Sequence, residues 1–140
     1  MPLSLARDDD RRRIVVTAIG SVTLEESLLV LERQADDGAW QYAMLYDGRG
    51  RDGVMDSSEI VRLVSRTAIL SKRHGAAGPL AIVRSDPAGL GMGRMFEVFT
   101  GDDSRAVGVF RWIEDAERWL DELALGSAEK KPVAADGPLR

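Results

Sequence analysis

Apolar and polar positions along this chain alternate between short β-branched runs and longer stretches of helical period. Ile14-Val15-Val16-Thr17-Ala18-Ile19, closed by Gly20, has the pattern of a buried strand. Leu24, Leu28 and Leu31 then recur on one helical face, with Thr23 and Glu26 at capping-box spacing, until Asp36-Asp37-Gly38 breaks the period. Tyr42-Ala43-Met44-Leu45-Tyr46 predicts a second strand. After Gly48 to Gly53, a long helix carries Ile60, Leu63, Val64 and Thr67 on one face. Lys72-Arg73-His74-Gly75 ends it, with cations in the last turn and a glycine where a left-handed cap is wanted.

Leu80 to Val83 predicts a third strand, closed by Ser85-Asp86-Pro87. A short helix follows Gly89, Gly91 and Gly93, with Met92, Met95, Phe96 and Phe99 as its apolar stripe. Ala106 to Phe110 predicts a fourth strand, and Ile113, Ala116, Leu120 and Leu123 a last helix. Four strand–helix alternations predict an α/β fold with a four-stranded, mostly parallel sheet and right-handed crossovers. On this reading residues 1–13 are a polar lead-in, 14–124 the domain and 125–140 a disordered tail. Functional sites in such folds lie at the carboxyl ends of the strands. That rim comprises Gly20 to Thr23, Asp47 to Ser58, Arg84 to Arg94 and Arg111 to Glu114.

Composition narrows what this frame is for. The 140 residues are 44% hydrophobic and 30% charged, as expected of a soluble domain. No apolar run nears the ~20 residues of a membrane span. The start, Met1-Pro2-Leu3-Ser4-Leu5-Ala6, lacks the basic and apolar regions of a secretory signal, so a cytoplasmic location is expected. No cysteine and a single histidine, His74, exclude disulfides, thiolate nucleophiles and multi-histidine metal sites; no metal or cofactor is expected. A net charge of −4 argues against a nucleic-acid binder. Asp8-Asp9-Asp10 and Arg11-Arg12-Arg13 largely cancel beyond a Debye length and read as solvated.

The stretch from Tyr42 to Glu59 holds most of the candidate chemistry. Gly48, Gly50 and Gly53 spell Gly-x-Gly-x-x-Gly, but the helix cap lies beyond the third glycine, whereas a dinucleotide fingerprint puts the glycines at the turn itself. Asp47 and Asp52 add negative charge where a pyrophosphate would sit, so a flexible rim loop is the better reading. Arg49 and Arg51, with Arg84 and Arg94 from the next βα turn, offer an anion-binding cluster. Against that, arginine supplies 16 of the 19 basic residues, so arginines are expected on any exposed loop. Asp47, ending a strand, reads as a partner of a nearby helix N-terminus or as a functional carboxylate. His74 reads as a helix C-cap residue. Trp40, Trp112 and Trp119 are candidate partner contacts if exposed.

The order and spacing of these segments resemble one known group. Gly20-Ser21-Val22-Thr23, Leu45-Tyr46-Asp47, Gly78-Pro79-Leu80-Ala81-Ile82-Val83, Gly91-Met92-Gly93-Arg94-Met95-Phe96, and Val109-Phe110-Arg111 with Glu114, Ala116 and Trp119-Leu120 together resemble the SpoIIAA-like branch of the STAS superfamily, over residues 14 to 123. The resemblance implies a four-turn βα superhelix and no established catalytic activity; many proteins of the branch are uncharacterised. Its better-known relatives are anti-sigma factor antagonists, switched by phosphorylation of a serine in an Asp-Ser-Ser/Thr-Gly motif at a helix start. Here that motif would be Asp56-Ser57-Ser58, with Ser58 the acceptor. Glu59 stands where the motif has glycine, and Asp56-x-x-Glu59 also has capping-box spacing. Related SEC14-type folds hold apolar ligands between helix and sheet, which the Met92 to Phe99 stripe would allow, although core packing explains the same spacing.

The leading expectation is a non-enzymatic regulatory or interaction domain. It would meet an unidentified protein partner through Asp47, Arg49, Arg51, Asp56, Ser57 and Ser58, and it leaves self-association open. The alternative is a small-ligand carrier, binding either an anion through Arg49, Arg51, Arg84 and Arg94 or an apolar, lipid-like molecule beneath the Met/Phe helix. An enzyme comes third.

Overall fold

A computed structural model describes residues 2–101 and 105–130. The described residues form β1 (Leu3–Asp8), β2 (Arg13–Gly20), α1 (Leu24–Asp36), β3 (Ala43–Arg51), α2 (Ser57–His74), β4 (Leu80–Val83), α3 (Pro87–Thr100), β5 (Val107–Phe110) and α4 (Ile113–Lys130). The sheet runs β1-β2-β3-β4-β5, with β1 antiparallel to β2 and the other pairs parallel.

Side-chain alternation assigns the two faces of the sheet. Ile14, Val16, Ala18, Met44, Leu80 and Ile82 point toward α1, α2 and α3, where Val30 and Phe96 meet them. Leu45, Ala81 and Val83 point the other way, onto Ala116 and Leu120 of α4. A second apolar layer joins α1 to α2 through Leu24, Leu31, Trp40, Leu63 and Leu70. The paired Arg66 and Glu32 side chains also link these helices. No helix among the described residues is long and apolar enough to cross a membrane.

Both expected helix starts are capping boxes. Thr23 accepts from the Glu26 N–H, whose carboxylate takes the Thr23 N–H, and Asp56 and Glu59 do the same for α2. α2 ends at Gly75 with φ +94°, as its sequence requires.

Five expectations need correction. The sheet has five strands, because residues 3–8, expected to be polar lead-in, pair with β2 from Leu3↔Ala18 to Asp8↔Arg13. Leu3 is 5% exposed: a hairpin lets its side chain reach the core that a solvated lead-in would leave to water. The acidic and basic triplets at the hairpin are not merely solvated. The Tyr42 hydroxyl donates to Asp9 at 2.6 Å, and the Arg7 and Arg12 guanidinium groups lie 5.1 and 5.0 Å from the centre of the Tyr42 ring.

Gly48 and Gly50 are strand residues rather than a mobile loop, since β3 runs on to Arg51. The register passes from Thr17↔Asp47 to Ile19↔Gly50, so β3 bulges by one residue where the glycines sit. A Cβ on Gly50 would lie 3.2 Å from the Ala18 carbonyl oxygen, which is why glycine suits this close approach. Similarly, Gly89, Gly91 and Gly93 do not precede α3 but lie inside it, because Asp86 caps the helix and Pro87 occupies its first turn. Finally, α4 continues to Lys130, past the expected domain end at 124; residues 131–140 of the expected tail lie outside the described residues.

The strand role of residues 3–8 is testable by chemical denaturation. Leu3→Ala should lower stability by about 2–4 kcal/mol, whereas Ser4→Ala, at an exposed neighbour, should stay within about 0.5 kcal/mol. Equal, negligible effects would mean that the segment does not dock.

Candidate functional site

The carboxyl ends of β2 to β5 bring the expected rim residues near one another, but most are already engaged. Asp47 is gripped by Arg49, whose Nε and Nη2 each donate at 2.8 Å and whose backbone N–H donates at 3.2 Å. This clasp holds the Asp47 carboxyl below the usual carboxylate range. The partner of Asp47 is therefore a neighbouring side chain rather than a helix N-terminus.

Arg84 is 2% exposed and forms the centre of the rim. Its Nε and Nη2 donate to the two carboxylate oxygens of Asp86 at 3.1 and 3.2 Å, and Nη1 donates to the Gly53 carbonyl at 3.1 Å. Asp86 in turn accepts from the Gly89 N–H at 3.2 Å, capping α3. Glycine at 89 matters here, because a Cβ would lie 2.3 Å from Arg84 Nε.

The four-arginine anion cluster does not form. Arg49 is paired, Arg84 is buried and matched, Arg94 is exposed two turns into α3, and Arg51 is buried beneath the rim with Nη1 donating to the Tyr46 hydroxyl at 3.0 Å. An arginine's length lets it turn inward when a bulged strand places it there, and composition carries no sign of that.

Ser57 and Ser58 are exposed at the start of α2. The Ser58 hydroxyl donates to Asp56 Oδ1 at 2.8 Å, and the same oxygen accepts the Glu59 N–H at 2.9 Å. The Glu59 N–H first, then the Ser58 hydroxyl, hold the Asp56 carboxyl below its ordinary range. Of the tryptophans, Trp40 is buried with its indole N–H on Ser71 Oγ at 3.3 Å, Trp119 packs on Phe110, and only Trp112 is widely exposed, at 60%. His74 ends α2 as expected, its ring 6.3 Å from that of Trp40 and its carbonyl accepting from the Gln41 amide. Among the described residues no cluster of histidine, aspartate and glutamate gathers to hold a metal ion.

The feature that composition and spacing did not reveal lies under the rim. Between the sheet and α1, α2 and α3 is an apolar cavity of about 80 Å³. Val30 and Leu31, Leu63, Met44, Leu80 and Phe96 are among its walls. The Met92 and Phe96 positions of the α3 stripe line it, while Met95 and Phe99 are exposed, so the expected stripe is split between cavity and surface. Above it, the Met55 N–H points at Met92 Sδ at 3.2 Å, joining the lead-in of α2 to α3.

Polar side chains interrupt these walls: Thr67 and Tyr46, whose hydroxyls bond to the Leu63 carbonyl and to Arg51, and then Ser27, Arg51 and Arg105. The last three are buried, and each keeps an atom without a hydrogen-bond partner, namely Ser27 Oγ, Arg51 Nε and Arg105 Nη2. Burying polar groups without partners is costly, so their convergence on one cavity marks it as the candidate site. The sequence signal is no more than a serine on the apolar face of α1 and an arginine two residues before β5.

No protein-family model matches the chain, and no curated protein matches it. Among solved structures, a crystal structure of an uncharacterised protein of the DUF3478 family with a SpoIIAA-like fold, from Shewanella loihica PV-4, is similar at 20% identity and a TM-score of 0.54. The similarity covers 84% of this chain and 91% of that one. The chain thus has a SpoIIAA-like fold, as its segment order led us to expect.

Two measurements probe the rim. Gly48→Ala places a Cβ 2.8 Å from Arg84 Cδ and 2.9 Å from Tyr46 Cε1, which should cost about 1–3 kcal/mol. Gly91→Ala, with open space around it in α3, should gain about 0.5–1 kcal/mol. Equal effects would deny the close approach at Gly48. Because the folded-state pKa values of Asp47, Asp56 and Asp86 are lowered, their stabilisation is present above the unfolded value and lost as pH falls through the folded one. Stability against urea should therefore fall below about pH 4, and Arg49→Gln should flatten part of that slope.

Proposed function

We propose that this chain is a non-enzymatic small-ligand-binding domain whose cavity, between the sheet and α1 to α3, holds a molecule with an apolar body. The observation that carries this reading is the apolar space itself, into whose lining buried polar atoms without protein partners converge. A filled core with a flat rim above it would have favoured an interaction domain. The space is about half the volume of a ~150 Å³ cavity that admits benzene. The occupant it suits is accordingly a short chain or branched group, and Met55 and Met92 offer flexible walls for a somewhat larger one.

A second reading, docking of a protein partner on the strand-end rim, has its own support. Ile19 and Val54, 65% and 44% exposed, lie at the ends of neighbouring strands beside exposed Ser57 and Ser58. A phosphate on Ser58 would crowd the Asp56 carboxylate that its hydroxyl now contacts, loosening the start of α2 beside such a surface.

The cavity reading is checked by titrating 1-pentanol into protein labelled at methyl carbons. Saturable shifts should be confined to cavity methyls such as Val30, Leu31, Leu63 and Ile82, and Val30→Phe, which fills the space, should abolish them while the fold is retained. Shifts spread over the surface, or none, would reject it. For the rim, a protein captured by wild type but lost with both Val54→Asp and Ser58→Asp would support docking; capture indifferent to both would count against it.

A further inference from the structure

We propose that the molecule held in this cavity is a small carboxylate, its anionic group paired with Arg105 and its apolar part laid against the sheet. This rests on the ligand-binding reading and names the chemical class of the ligand.

Arg105 stands two residues before β5, at the end of the sheet away from the rim, and is 8% exposed. Its Nε donates to the Gly78 carbonyl at 2.8 Å, but Nη2 is buried without a partner. No carboxylate lies within ion-pair distance of it among the described residues. Burial pulls its pKa down to about 10, which still leaves it a cation at neutral pH. A buried cation lacking a counter-charge is among the least favourable arrangements a core can hold.

Arg84 shows what a matched guanidinium looks like in the same protein: two carboxylate oxygens and one carbonyl. Arg105 has the carbonyl and, among the described residues, no carboxylate, and it faces the cavity walled by Val30, Leu31, Met44, Leu80 and Phe96. A carboxylate fits the guanidinium fork in two parallel bonds. A phosphate would bring more charge and more acceptor oxygens than this end of the cavity has donors to meet. Arg51, the other buried arginine of the cavity, lies toward the rim and is already engaged by the Tyr46 hydroxyl.

The test compares pentanoate, 1-pentanol and pentyl phosphate on wild type, Arg105→Met and Arg51→Met, by calorimetry and by the Arg105 guanidinium nitrogen resonances. Wild type should prefer pentanoate to 1-pentanol by about 10-fold or more, with Arg105 nitrogen shifts that 1-pentanol does not produce. Arg105→Met should bind the two alike and, free of ligand, should melt at a higher temperature than wild type because the unmatched charge is gone.

Wild-type binding of 1-pentanol as tight as pentanoate would keep the cavity reading and overturn this one, whereas binding of neither would overturn both. A preference that survives Arg105→Met, or that vanishes with Arg51→Met while Arg105 nitrogens stay still, would move the anion to Arg51 and reject the assignment. Tighter binding of pentyl phosphate than of pentanoate would reject the carboxylate. Should Arg105→Met fail to fold, the wild-type preference and the Arg105 nitrogen shifts decide the matter alone.

Discussion

A guanidinium taken out of water must meet oxygen, and the Arg84 solution to that requirement organises the rim of this protein. Three segments converge on its planar fork: the end of β4, the capping aspartate of α3 and the chain leaving β3. The consequences spread from there. Gly53 is held by its carbonyl, which fixes the path to Met55, and Asp86 fixes the start of α3 and hence the height of Met92. The two methionines then meet over the cavity. Glycine at 48 and 89 follows from the same need, since the Arg84 side chain occupies the space a Cβ would take at either position.

Buried arginines in this fold form a graded series. Arg84 is fully matched, Arg13 reaches Asp121 of α4 at 2.7 Å with two nitrogens left over, Arg51 has a tyrosine hydroxyl, and Arg105 has one backbone carbonyl. The two without a carboxylate partner among the described residues are the two that line the cavity. Structural arginines tend to acquire partners because an unmet charge costs stability, so a shortfall concentrated at one internal surface is better explained by a site than by packing.

The sheet helps to explain why there is space at this surface. Its α4 face is covered by one helix, with Ala81, Val83 and Leu45 packed directly on Ala116 and Leu120. The other face must accommodate three helices at once. Trp40 and the leucines of α1 and α2 seal against each other, and Gly93 brings α3 close to Val109 of β5. With the helices tied to one another and α3 to the edge strand β5, the middle of that face is spanned rather than filled. The arrangement of layers is that of the SpoIIAA-like fold, which the Shewanella protein also has.

Much of the frame was legible in local pattern. β-branched runs, two capping boxes and a cationic, glycine-ended helix each act within a few residues, and each element they predict is present, with its order along the chain. Leu3 escaped notice because a two-leucine strand has too little period to read and acquires its role only by pairing with β2. The bulged glycines read as a loop because glycine signals freedom locally, whereas here it answers a close approach by residues from other segments. The arginines carried least information: whether such a long side chain lies in water, as Arg94 does, or beneath the rim, as Arg51 does, depends on the surface its strand or helix faces. The sequence by itself determined the elements and their succession, because hydrophobic period and capping are short-range. The cavity and its unmatched Arg105 were decided by tertiary structure alone, since they arise from how three helices share one face of a sheet.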